Sequence, residues 1–378
     1  MEQGVRQNQI SIPVYKPSLD GKEREYVLEC IDSSWISSRG KFIGLFEHEF
    51  ARYVGAHYAA GVPNGTIALH LCMLALGVGP GDEVIIPTLT YISSANCVTY
   101  TGATPVFADS RESDWQIDPN DIARRITANT KAIMAVHLYG GACDMDALTT
   151  IASENSLFLV EDCAEGIGTL YKGKHVGGFG DIAAFSFFGN KTITTGEGGM
   201  VVTNDETLYE RVTRFRGQGL AKYREYWHDI VGYNYRMTNI CAAIGLAQLE
   251  RVETFLERKR KIAERYRERL EGLPLTLQSE PDGVRHSYWM VSILLDDHTD
   301  RDPLRDHLAK KGVETRPFFN PIHTMPMYAS RFQRFPVAES LSRRGINLPS
   351  WPDLELELVD FICNSIIEYF QNKPHDRR

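Results

Sequence analysis

The chain has no Cys-x-x-Cys pair, no block of lysine and arginine, and no apolar run long enough to cross a bilayer. Each gap removes a class of function. Its seven cysteines, Cys30, Cys72, Cys97, Cys143, Cys163, Cys241 and Cys363, are odd in number and widely scattered. A disulfide framework and a zinc site are therefore not indicated, no metal is expected, and a reducing cytoplasm fits. With 49 acidic against 41 basic residues the formal charge is -8. Nucleic acid and anionic membranes demand clustered positive charge, so neither is an expected partner, and any anionic ligand must be held locally. Met1 to Ile12 is polar and lacks the apolar core of a secretory signal, which again points to a soluble cytoplasmic protein. Internal repeats and low-complexity segments are missing as well.

What is present is enough apolar material for a full core: 43% of 378 residues. That length exceeds what one core usually supports, so a large domain with a smaller one packed on it is expected. Short apolar runs at Glu83–Pro87, 104–109, 131–137 and Leu157–Asp162 alternate with helical periods, the signature of an α/β fold with a mostly parallel sheet covered by helices. A single helical stretch from Asn239 to Leu270 carries the chain out of the large domain, which places the division at 1–250 and 251–378. Beyond it, strands at 287–295 and 313–319 and helices at 301–311 and 354–371 make a compact α+β unit. Pro317, Pro321, Pro326, Pro336, Pro349 and Pro352 mark its loops.

The residues that carry chemistry stand at the ends of the apolar runs. The run Ile182 to Phe188 stops at Gly189-Asn190, so Lys191 is presented at a loop edge beside aromatic rings. Partial desolvation there favours the neutral amine, which can attack a carbonyl. Asp162 closes another apolar strand, where it can face the ring nitrogen of a pyridine cofactor or simply cap the strand. Gly65 and Thr66 open a helix, and its free N–H groups suit a phosphate or a plain N-cap. Tyr91 lies where strand gives way to loop, to stack on a flat ring or to join the core. Glu165, three residues after Asp162, can face the same pocket. Trp35, in a Ser/Gly-rich loop, can be a packing anchor or line a pocket.

Asn64-Gly65-Thr66 before a helix, Glu161-Asp162 ending a strand, Phe185-Ser186-Phe187 leading to Lys191, Gly196-Glu197-Gly198-Gly199, and Gly232-Tyr233-Asn234-Tyr235-Arg236-Met237 follow one another in this order. In that combination the chain resembles the nucleotide-sugar aminotransferases of the DegT/DnrJ/EryC1/StrS family. The resemblance runs from about Ile12 to the final helix and implies the aspartate aminotransferase (type I) fold with pyridoxal 5'-phosphate as cofactor, cycling through pyridoxamine 5'-phosphate. It implies further that Lys191 binds the cofactor and moves the proton, that Asp162 pairs with the ring nitrogen, and that Tyr91 stacks on the ring. Gly65, Thr66 and Ser186 would hold the phosphate with Asn234 of a partner subunit, and Glu165 would lie near the ring hydroxyl. Within the family the segments around Tyr91, Tyr139, Lys191 and Arg236 are most similar to members that transfer the amino group of L-glutamate to C4 of GDP-4-keto-6-deoxymannose, in O-antigen and lipopolysaccharide biosynthesis. The shared phosphate site implies a homodimer. Trp35, Arg236 and His323 are the expected substrate contacts. The alternatives are another TDP- or UDP-linked keto sugar and a non-catalytic regulator of the same fold; the intact Asp162 and Lys191 argue against the regulator.

Overall fold

The computed structural model describes residues 12–330 and 332–373, so the polar stretch up to Ser11 and the tail from Pro374 lie outside the described residues. Strands run in chain order as β1 (Tyr58–Val62), β2 (Glu83–Pro87), β3 (Thr104–Ala108), β4 (Thr130–Val136), β5 (Phe158–Asp162), the short β6 (Leu170–Tyr171) and β7 (Lys174–His175), then β8 (Ile182–Ser186) and β9 (Gly199–Thr203). Seven of these form one sheet in the order β1-β9-β8-β5-β4-β2-β3. Its members are parallel except β9, which lies antiparallel between β8 and β1.

The central strands are apolar on both faces because helices cover both. Ile86, Met134 and Val160 belong to one core cluster, and their neighbours Ile85, Ile133 and Leu159 to another. Such runs of valine, isoleucine and alanine suit a pleated surface buried on both sides.

A second sheet is built from β10 (Leu275–Leu277), β12 (Val291–Leu295), β13 (Arg316–Pro317) and β14 (Gly345–Leu348), while β11 (Val284–Arg285) pairs with β6. The helices Val252–Leu270, Arg301–Lys310 and Leu356–Gln371 pack on this sheet around a third core cluster. Ile12 bridges to Val313, which ties the N-terminal segment to this unit.

Four expectations are corrected. The single helix 239–270 is two, Asn239–Leu249 and Val252–Leu270, broken at Arg251, whose φ is -116° and whose guanidinium turns to pair with Asp20. The strand expected at 287–295 begins only at Val291, because Tyr288 takes a left-handed φ of 49° and Trp289 is diverted toward the lysine loop. Only Arg316–Pro317 of the run 313–319 pairs in the sheet, and Pro336 opens the helix Pro336–Arg344 instead of marking a loop, since a first-turn N–H has no helical partner to lose. Among the described residues no helix is long and apolar enough to cross a membrane.

Candidate active site

A cavity of about 400 Å³ opens at the carboxyl ends of β5 and β8, the position where an open α/β sheet places ligands. One wall is the N-terminus of the helix Gly65–Ala75, which follows β1. Asn64 caps it, its Oδ1 accepting from the Ile67 N–H at 2.9 Å. Thr66 Oγ1 and Ser93 Oγ meet at 2.7 Å, and the remaining first-turn N–H groups give that corner the positive end of the helix. The corner is possible only because of glycine. A Cβ on Gly65 would lie 2.8 Å from Ser186 Cβ, and one on Gly199 would lie 2.6 Å from the Asn64 carbonyl. Gly199 of β9 is the register partner of both Val62 and Ser186, so it brings the helix turn and the end of β8 together.

Asp162, at the end of β5, is buried against the floor. Ser94 donates to its Oδ2 at 2.8 Å and the Ala164 N–H to its Oδ1 at 3.1 Å. Burial nevertheless pushes its carboxyl above the ordinary range, so a cationic N–H in front of it would be welcome. Glu165 is also buried; its Oε2 accepts from the Tyr139 N–H at 2.7 Å, and desolvation raises its carboxyl to about 7.

Lys191 lies in the loop between β8 and β9, which the Phe187 N–H closes onto Gly198 O at 2.9 Å. Its Nζ is 3.9 Å from Glu165 Oε1 and 4.1 Å from the centroid of the Trp289 ring. Burial holds its ammonium below the usual lysine range, against the opposing pull of Glu165 and Asp162. The loop is held from outside: Trp289 Nε1 donates to Asn190 O at 2.7 Å, and Tyr15 OH donates to Lys191 O at 2.6 Å. Tyr91 stands at the mouth, 58% exposed and 5.7 Å from the Phe319 ring, so it is no core residue.

Gly65, Thr66, Tyr91, Asp162, Glu165, Ser186 and Lys191 thus line one cavity. Trp35, Asn234, Arg236 and His323 do not. Trp35 is exposed, and its carbonyl accepts from Asn239 Nδ2 at 2.7 Å beside a separate shallow groove. Asn234, paired with Gly217 in an isolated bridge, and Arg236 are both exposed. His323 is buried, with Nδ1 at 2.7 Å from Thr88 Oγ1 and Nε2 at 3.3 Å from Glu339 Oε1. Sequence reasoning missed Ser94, Trp289, Phe319 and Tyr15. Only Ser94, just after Tyr91 at a strand end, carried a local signal.

The cluster His137, Glu161 and Cys163 has metal-ligand chemistry, but its acceptors are committed. Glu161 takes the N–H groups of Gly177, Phe179 and Gly180 at 2.7 Å each, and His137 Nδ1 takes that of Cys143 at 3.2 Å.

A half-buried amine, a buried acid able to face a cationic ring nitrogen, and a helix terminus suited to phosphate stand around one slot. The sequence pattern that defines the DegT/DnrJ/EryC1/StrS aminotransferase family matches residues 17–367. The chain belongs to that family. This aminotransferase is 59% identical over 362 residues to the GDP-perosamine synthase of Escherichia coli O157:H7, covering 96% of this chain and 99% of that one. It is 53% identical to the GDP-perosamine synthase of Vibrio cholerae, covering 95% and 99%. Among solved structures, a putative sugar aminotransferase from Streptococcus pneumoniae in its pyridoxal phosphate form superimposes with a TM-score of 0.90 at 27% identity, covering 94% of this aminotransferase and 97% of that chain.

Proposed function

We propose that this aminotransferase moves the amino group of L-glutamate to C4 of GDP-4-keto-6-deoxy-D-mannose, giving GDP-perosamine for O-antigen and lipopolysaccharide synthesis. The observation that carries the reading is the trio of buried Asp162, buried Glu165 and half-buried Lys191 facing a glycine-cradled helix terminus, in a chain so similar along its length to two GDP-perosamine synthases.

Pyridoxal 5'-phosphate fits the residues present, and when bound it supplies an electron sink beside the reacting carbon and a carrier for the amino group. Its phosphate would be held by the N–H groups and hydroxyls of Gly65, Thr66 and Ser186. Asp162 would keep a proton on the ring nitrogen, a charge pairing that also relieves its own burial. Lys191 would hold the cofactor through Nζ and, once displaced, take a proton from the donor carbon at that same atom and return it elsewhere; its lowered basicity suits both tasks. Tyr91 would cover the open face of the ring, and Glu165 would sit beside its hydroxyl.

The same reading places a domain boundary near residue 250, supported by the break at Arg251, and a homodimer in which Asn234 of one copy completes the other copy's phosphate site. Exposure of Asn234 in the single chain supports that arrangement. A cytoplasmic location follows from a nucleotide-linked substrate and seven unpaired cysteines. To test the reaction, the purified protein is incubated with L-glutamate and a panel of keto-sugar nucleotides and the products are read by mass spectrometry. Glutamate-dependent amination of the GDP sugar is expected; amination of TDP or UDP sugars alone would overturn the assignment.

A further inference from the structure

Lys259 is the buried charge that the reaction leaves unused. It lies on the helix Val252–Leu270, and its side chain is fully enclosed. Among the described residues no carboxylate pairs with it. Its Nζ instead donates to Ser350 O at 2.5 Å and to Trp289 O at 3.1 Å, and it lies 5.2 Å from the centroid of the Tyr15 ring. Burying a lysine among carbonyls and a ring is costly, and here desolvation pushes the ammonium down to about 7. A residue held at that cost is worth asking about, because an apolar side chain of the same length would fill the space.

What Lys259 touches supplies a role. Trp289 and Tyr15 are the residues whose side chains bind the carbonyls of Asn190 and Lys191, immediately before and after the Lys191 Cα. Both residues meet the Lys259 ammonium, Trp289 through its backbone oxygen and Tyr15 through the π face of its ring. Trp289 also forms the wall under Lys191 Nζ. Of the titratable groups facing Lys259, Tyr15 is kept neutral by burial, and Asp353, whose charge reaches Tyr15, is paired with Arg258.

We propose that Lys259 is a positioning residue: its ammonium anchors Trp289 and Tyr15, and through their hydrogen bonds it fixes the peptide on both sides of Lys191 and so the aim of Nζ. The inference rests on the reading of Lys191 as the lysine that holds the cofactor.

The test compares wild-type holoenzyme with Lys259→Met by visible absorption against pH, by steady-state kinetics and by thermal melting. The midpoint of the pH titration of the visible band is expected to move by roughly one unit. The kcat should fall about tenfold while KM for L-glutamate stays within about twofold, the signature of a misaimed group. A lower melting temperature with unchanged midpoint and kcat would overturn the proposal. If the methionine variant does not fold, Tyr15→Phe, which removes only the bond to Lys191 O, decides instead: a smaller shift in the same readouts supports the anchor, and no shift refutes it. Wild type and Lys191→Ala with added pyridoxal phosphate are the controls. Borohydride reduction that still fixes the cofactor covalently to Lys191→Ala defeats the underlying reading, whereas lysine-dependent fixation with a band indifferent to Lys259 defeats only this one.

Discussion

Lys191 is a basic group half-buried in the wall of a cavity, and its neighbours decide what it can do. Replacing it with alanine removes the amine but leaves the loop clasped by Trp289 and Tyr15. Lys191→Ala is expected to lose all measurable turnover while its melting temperature stays within about 3 °C of wild type. Asp162→Asn keeps the shape of the floor and loses the charge. It should reduce turnover severely yet still bind cofactor through the phosphate corner, as an absorption titration would report; unchanged turnover would mean that Asp162 does not face the ring. Glu165 offers a test by pH. Its carboxyl, ordinarily near 4.5, is raised to about 7, so between those values the folded chain keeps a proton that the unfolded chain has released. This contribution to stability is complete below about 4.5 and gone above about 7. The melting temperature of the cofactor-free protein should therefore drop relative to Glu165→Gln as pH rises through that window, by the equivalent of on the order of 3 kcal/mol in all. Parallel curves would exclude the shift. Lys191 and Asp162 were legible in the sequence because Asp162 ends an apolar strand and Lys191 follows one across a Gly-Asn turn. Trp289 was not, since a tryptophan in an apolar run announces burial without saying against what.

The helix Gly65–Ala75 shows how much of the site belongs to an element and how little to any one side chain. Its N-terminus can sit against Ser186 only while residue 65 has no Cβ, given the 2.8 Å that such an atom would leave to Ser186 Cβ. Gly65→Ala must push the helix end away from β8. Cofactor affinity is expected to fall at least about tenfold, measured by titration of the cofactor-free protein with pyridoxal phosphate, with the catalytic groups in place. Most strands and helices could be read to within a residue or two, because period and apolar character change together at their ends. The break at Arg251 could not. No glycine or proline marks it; the backbone leaves the helical region at Arg251, where the guanidinium pairs with Asp20, far away in the chain. The diversion of Trp289 after Tyr288 was hidden for the same reason: a left-handed tyrosine is imposed by surrounding packing and is not a local preference.

At the scale of the whole molecule, the expectation is that two copies build each site. An inactive Lys191→Ala chain mixed with an inactive chain carrying a bulky residue at Asn234 should regain activity after subunit exchange, since one site of the mixed dimer receives both intact residues. Exchange shown by mass spectrometry without recovered turnover would refute the shared site. The sequence implied a mostly parallel sheet but not its strand order, because pairing between distant strands leaves no local trace. The antiparallel β9 is the part of that order with the widest effect. Gly199 closes the contact between the turn after β1 and the end of β8, so the corner proposed for the phosphate has no finished form until roughly 130 residues beyond Gly65 have been made. At about 5–20 residues per second the growing chain spends on the order of ten seconds with its glycine turn outside the ribosome and nothing to close it. The cofactor can therefore be captured only by a nearly completed large domain, and a chain released early, before β9, leaves the cell with the turn but without a site.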